Sequence, residues 1–182
     1  MIFEAVRGES YTGDIAIDDI LLTDWTTNCP VLPGEAIPWG CNFEQDTCSW
    51  QQRKIGDNMD WIRYNGSTTS ANTGPAVDHT TNTSKGYYMY IESSYPSSEN
   101  DTAALVSQPL KGFANNTKKR YCMFFAYHMY GPQINKLQVK LKPEGESDSD
   151  AIWQRVGTQS PNWLHANVQL EIKKDTQVNV IY

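Results

Sequence analysis

The chain has 182 residues, of which 39% are hydrophobic, 12% aromatic and only 20% charged. That length suits one sizeable domain with or without a linker, and the composition excludes a disordered polymer while offering too little apolar sequence for a membrane span. The formal charge of -6 argues against polyanionic partners, so neither nucleic acid nor an anionic lipid surface is expected.

In chain order, the first residues, Met1-Ile-Phe-Glu, carry no basic segment followed by an apolar run, so no secretory leader is read there. The turn-like Gly8-Glu-Ser-Tyr-Thr-Gly13 is followed by Asp14-Ile-Ala-Ile-Asp-Asp-Ile-Leu-Leu, whose β-branched alternation suits a strand, and residues 1–28 read as two strands and a loop. Residues 30–40, rich in proline and glycine after Cys29, read as a linker. Further short strands are expected near 42–44, 87–92, 103–107, 121–130, 137–142, 152–157, 163–170 and 177–182. Gly145-Glu-Ser-Asp-Ser-Asp150 reads as a hairpin tip. Helical periodicity is nowhere sustained, and many short strands with polar connections predict an all-β chain, an antiparallel β-sandwich. The most apolar stretches, 15–22 and 121–130, are interrupted by Asp or His and fall below the roughly 20 residues that cross a bilayer.

The cysteines are Cys29, Cys41, Cys48 and Cys122, with no C-x-x-C pair, and His79, His128 and His165 are far apart in sequence, so a zinc site fits poorly. Paired cysteines suit an oxidising compartment. Glycosylation sequons at Asn65, Asn82, Asn100 and Asn115 support the same extracellular placement. Without a leader of its own, an extracellular chain of this kind reads as a piece of a longer protein, either secreted or the ectodomain of a membrane protein.

Catalytic signatures are missing: there is no H-E-x-x-H, G-x-S-x-G or P-loop, and Asp78-His79 is consecutive and ill-placed for a dyad on a strand. Glu144 and Glu146 sit in a solvated loop, and the basic run Lys118-Lys-Arg120 reads as a turn. No enzyme is expected and no catalytic residue is assigned. Trp50, Trp61, Phe124, Tyr127 and Trp153 read as core.

The segments Cys41-Asn-Phe-Glu, Cys48-Ser-Trp, Asp60-Trp, Gly74-Pro-Ala-Val-Asp-His-Thr80, Gly86-Tyr-Tyr-Met-Tyr and Tyr121-Cys-Met-Phe-Phe-Ala-Tyr-His-Met-Tyr-Gly131 follow one another in an order that resembles the MAM module. Phe3-Glu-Ala-Val-Arg-Gly, Gly13-Asp-Ile-Ala-Ile-Asp-Asp-Ile20 and Cys29 resemble the closing segment of that same module. The resemblance therefore divides the chain into residues 1–29, the closing segment of a preceding module; residues 30–40, a linker; and residues 41–182, a module lacking its own closing segment. Tandem modules are implied, with Ile181-Tyr182 echoing Ile2-Phe3.

A sandwich short of two strands exposes its core and bare edges, so residues 1–29 are expected to cover them, within the same chain or by exchange between chains. The steps from Cys29 to Cys41 span about 40 Å when extended, enough for closure within one chain. The resemblance implies a jelly-roll type of sandwich and pairs Cys41 with Cys48 and Cys29 with Cys122; a buried free thiol at Cys122 is the other reading.

The resemblance also brings the first and last strands together, which makes Glu44, Asp46, Asp78 and Asp19 candidates for one structural calcium or other cation; alternatively they cap turns. The function implied is an extracellular, non-catalytic adhesion module binding protein, homophilic partners included, with membrane contact only through the parent protein. The alternative is a carbohydrate-binding or spacer domain. Contacts are expected on residues 95–100 and 145–150.

Overall fold

A computed structural model describes residues 2–24, 29, 40–110, 118–172 and 176–177. Its strands are β1 (Ile2–Arg7), β2 (Ile15–Asp24), β3 (Gln51–Gln52), β4 (Ile62–Asn65), β5 (Tyr87–Ile91), β6 (Thr102–Val106), β7 (Pro109–Leu110), β8 (Lys119–Met129), β9 (Ile134–Lys140), β10 (Lys142–Pro143), β11 (Trp153–Val156), β12 (Ser160–Ile172) and β13 (Thr176–Gln177). They form two antiparallel five-stranded sheets, ordered β11-β9-β1-β6-β3 and β12-β8-β2-β5-β4, and a small sheet β10-β13-β7. Among the described residues there is no helix. The chain is an all-β sandwich of the jelly-roll kind.

The leading segment runs through the middle of both sheets. Phe3 of β1 stands between Leu105 of β6 and Val139 of β9, and Ile17 of β2 between Met89 of β5 and Tyr127 of β8. Both residues are fully buried, as central positions require. Period-two alternation then sorts side chains between the faces. On β5, Met89 and Ile91 join the main core while Tyr88 and Tyr90 point to the other face. On β12, Leu164, Ala166, Val168 and Leu170 pack toward the core while Trp163 packs on the other side.

Aromatic edges knit the sheets together. The rings of Phe3 and Phe125 meet edge-on at 4.4 Å, and Trp153 lies 5.0 Å from Phe125 and 5.3 Å from Tyr127. Trp61, Phe124 and Tyr127 are buried, and Trp50 and Trp153 are partly buried against the core.

Cys29 is bonded to Cys122 of β8 and Cys41 to Cys48, and no described cysteine is free. The first bond fastens the leading segment to the strand it pairs with; the second closes a short loop.

Three expectations are corrected. Residues 42–44 form no strand: Cys41 makes a single bridge to Ile20, and Phe43 turns away at a φ of 56°. Lys119 and Arg120 are not a turn but open β8, opposite Ile172 and Glu171 of β12. There Lys118 and Arg120 both reach the Glu171 carboxylate, at 2.5 and 3.1 Å. Short β3, β4, β7 and β10 were not foreseen as separate strands. The linker from residue 30 to 39, the sequon at Asn115, the ring of Phe113 and the terminal residues 178–182 lie outside the described residues.

Candidate functional site: a histidine and aromatic face

The outward face of the second sheet carries Tyr64 of β4, Tyr88 and Tyr90 of β5, Ala16 of β2 and Trp163 of β12 as one apolar cluster. Residues 66–86, joining β4 to β5, are fastened over this face. Tyr88 donates its hydroxyl to the Gly66 carbonyl at 2.6 Å, and Trp163 donates Nε1–H to the Val77 carbonyl at 2.9 Å. Tyr88 and Tyr90 are buried beneath, which raises their phenol pKa values. They are therefore not an open stacking platform for sugar.

The fastening loop is shaped by Asp78. Its fully buried carboxylate accepts hydrogen bonds from the Thr81 amide at 2.5 Å, the Thr81 hydroxyl at 2.8 Å and the Thr83 amide at 2.9 Å. Such side-chain to backbone bonds make the turn self-sufficient. Gly86 lies against the same carboxylate: a Cβ there would sit 2.2 Å from Asp78 Cγ.

From the other side β2 contributes a bulge between Asp18 and Leu21, with Asp19 at a φ of 47°. Left-handed backbone is tolerated best by short polar residues such as Asp. The kink aims both carboxylates at the loop. Asp18 accepts from the amides of Asp19 and His79 at 2.8 and 2.9 Å. Burial first, and Asp19 second, push the Asp18 carboxyl up to about 7. Asp19 contacts His79 Nδ1 at 2.6 Å and accepts the Thr80 hydroxyl at 2.8 Å.

His79 Nε2 in turn faces His165 Nε2 of β12 at 2.9 Å. The Asp19 hydrogen bond raises the pKa of His79, while burial and then the His79 charge lower that of His165. His128, on the neighbouring strand, packs on Trp163 at 5.7 Å between ring centroids, and burial lowers its pKa. Histidines that are 86 residues apart in sequence thus touch. The partner of His79 is Asp19, not the adjacent Asp78. An acyl-transfer arrangement would need a hydroxyl or thiol at His79 Nε2; that nitrogen faces an imidazole instead.

The carboxylates considered for calcium have other duties. Glu44 accepts the Tyr87 amide at 2.8 Å, Asp46 accepts the Cys48 amide at 2.6 Å, and Asp78 and Asp19 are engaged as described. Among the described residues no three or more His, Cys, Asp or Glu side chains are gathered so as to hold a metal ion. The four are placed as turn and amide caps.

A second surface lies where the connections 8–14, 92–101 and 130–133 meet. The Ser93 hydroxyl lies 2.8 Å from both the Tyr11 carbonyl and Asp14 Oδ1, sharing its one proton between them, and Thr73 donates to the Tyr130 carbonyl at 2.8 Å. These bonds hold loops whose tyrosines face water: Tyr95 is 94% exposed, Tyr11 55% and Tyr130 38%. The sequence points to residues 95–100 but not to Tyr11 or Tyr130, which join them only through the fold. In the other expected loop, Asp148 pairs with Arg53 at 3.0 Å and Lys142 at 3.7 Å, while Glu144 and Glu146 are exposed.

Residues 41–181 match the family described as MAM domain, meprin/A5/mu. The chain is 38% identical over 170 residues to human MAM domain-containing protein 2, a match covering 91% of the chain and 23% of that protein. It is 36% identical over 179 residues to thyroid hormone-induced protein B of Xenopus laevis, covering 93% and 23% respectively. Against human MAM domain-containing glycosylphosphatidylinositol anchor protein 1 it is 39% identical over 175 residues, covering 91% and 17%. The chain thus spans about a quarter or less of these relatives, and the matches reach beyond residues 41–181 into the leading segment.

Proposed function

The chain belongs to the MAM domain family, and from that premise we propose that it is a non-catalytic, extracellular protein-interaction module of a larger multidomain protein, acting in adhesion through self-association. The observation that carries this reading is the tyrosine-bearing end of the sandwich, where Tyr11, Tyr95 and Tyr130 project from connections cross-linked by hydrogen bonds from the buried residues Ser93 and Thr73. Tyrosine supplies large contact area at small entropic cost, and serine-rich neighbours such as Ser94, Ser97 and Ser98 supply adaptable hydrogen bonding. A rigid scaffold presenting such loops is how binding surfaces are commonly built.

The cell-surface setting is supported by the two disulfides, by exposed sequon asparagines Asn65, Asn82 and Asn100, and by relatives named for a glycosylphosphatidylinositol anchor. Tandem organisation is supported by relatives that match the leading segment, the linker and the following module as one run. In this reading residues 1–29 are the closing segment of one module, and they complete the sandwich of residues 41–182 by filling the central positions of β1 and β2.

Sedimentation velocity over a wide concentration range tests the proposal. Reversible dimerisation is expected, and replacing Tyr95 and Tyr11 by Ser should abolish it without moving the melting temperature. A strict monomer at all concentrations, or a dimer untouched by these changes, refutes adhesion through this end.

A further inference from the structure

We propose that His79 and His165 form a two-imidazole binding site for a divalent transition-metal ion of the copper class, oriented from behind by Asp19. It is separate from the tyrosine-bearing end and does not depend on the adhesive reading.

Two observations carry it. The Nε2 atoms of the two rings face each other at 2.9 Å. Nitrogen ligands about 2.1 Å from a metal and at right angles to each other lie about 3.0 Å apart, whereas a tetrahedral centre would hold them about 3.4 Å apart. The observed spacing fits two adjacent corners of a tetragonal site, the geometry of Cu(II) or Ni(II) with nitrogen and oxygen donors. The second observation is the Asp19 carboxylate at 2.6 Å from His79 Nδ1. A carboxylate accepting the Nδ1 proton fixes the tautomer that leaves Nε2 as a lone-pair donor, the usual support behind a metal-bound histidine. In the metal-free pair one Nε2 carries the proton of this hydrogen bond; for metal uptake His165, on the exposed side of β12, must take its proton on Nδ1 so that both Nε2 lone pairs are free. Both rings are then neutral ligands, and solvent fills the remaining positions.

The position is also braced. Trp163 lies two residues before His165 on β12, packs 6.0 Å from the His79 ring and fixes the loop through Val77, so strand and loop cannot drift apart freely. The site therefore clips the loop of residues 66–86 to the edge strand, and metal uptake should stabilise that junction.

The test uses Cu2+ alone, titrated into the whole oxidised chain, followed by calorimetry and by electron paramagnetic resonance. One equivalent is expected to bind with two-nitrogen superhyperfine structure. Zn2+ should bind more weakly, following the usual order of affinities. H165Q, on an exposed ring, should remove the two-nitrogen signal while its metal-free melting curve stays that of the unmodified protein. D19N should weaken Cu2+ binding roughly 10- to 100-fold. An absence of uptake would mean that the pair is only a hydrogen bond, and a two-nitrogen signal surviving in H165Q would place the metal elsewhere; either result overturns the site.

Discussion

Removing the Cys29–Cys122 bond should cost this protein more than removing Cys41–Cys48, and by a calculable margin. The first bond joins residues 93 apart and the second residues 7 apart. In the chain-entropy account, the freedom regained by the unfolded chain grows with the logarithm of the closed loop, giving about 4.6 kcal/mol for the longer and about 2.4 kcal/mol for the shorter. At about 2–4 °C per kcal/mol for a chain of this size, the melting temperature should fall roughly 9–18 °C in C29S/C122A and roughly 5–10 °C in C41A/C48A. Cys122 is fully buried, so the small cavity left by alanine adds to the first figure and widens the gap. Urea unfolding of both variants supplies the free energies, and scanning calorimetry the temperatures. If the short-loop variant proves the less stable of the two, or if C29S/C122A melts with the parent, the long bond does not restrain the leading segment as described.

Three further outcomes are expected. Phe3→Ala should destabilise by about 3–5 kcal/mol in urea unfolding, because a fully buried ring is lost from the junction with Phe125, whereas Phe3→Leu should cost far less. Asp14 is buried, which raises its carboxyl from 3.8 to about 6; the folded state therefore holds the proton more tightly than the unfolded chain, and stability falls as pH rises from about 4 through about 6. Asp14→Asn should gain in melting temperature over the parent across that window and keep a constant advantage above it; an advantage independent of pH would contradict the assignment. When the chain is secreted from eukaryotic cells, endoglycosidase should lower its mass, and N65Q and N82Q should each remove one step, since both asparagines are exposed and lie away from the tyrosine-bearing end; a mass unchanged by the enzyme would contradict their use.

Much of the sandwich was legible because its strands carry their own pattern. Ile15, Ile17, Tyr88 and Tyr90 alternate visibly, and the order of motifs from Cys41 to Gly131 announces a known module. What escaped was decided by pairing rather than by local pattern. Gln51–Gln52 is polar and becomes a strand only because β6 offers its free edge. Phe43 looked like the middle of a strand, yet its φ of 56° buries the ring at a turn, a choice made by the surrounding core. The basic run at Lys118 looked like a turn because its partner, Glu171, lies on another strand.

The histidine site was illegible for a similar reason. Asp19 and His79 are 60 residues apart and His79 and His165 are 86 apart, and only the bulge in β2 and the loop over the sheet bring them together. Sequence distance counts against a histidine cluster, and the fold reverses that inference for two of the three. The carboxylates, judged by type, suggest a cation; the hydrogen bonds that Glu44, Asp46, Asp78 and Asp19 make to amides, hydroxyls and a histidine depend on partners the sequence does not mark. An Asp followed by several threonines, as at Asp78-His-Thr-Thr-Asn-Thr83, is the local signal of a capped loop.

The functional reading depends on residues 2–24 closing the sandwich in the molecule to which they belong. A non-reducing peptide map of the folded, secreted chain, taken together with its intact mass, examines that most directly. The account predicts a Cys29–Cys122 linked peptide pair in a species of monomer mass. The same pair found only in a covalent dimer, or both thiols free in folded protein, would contradict it.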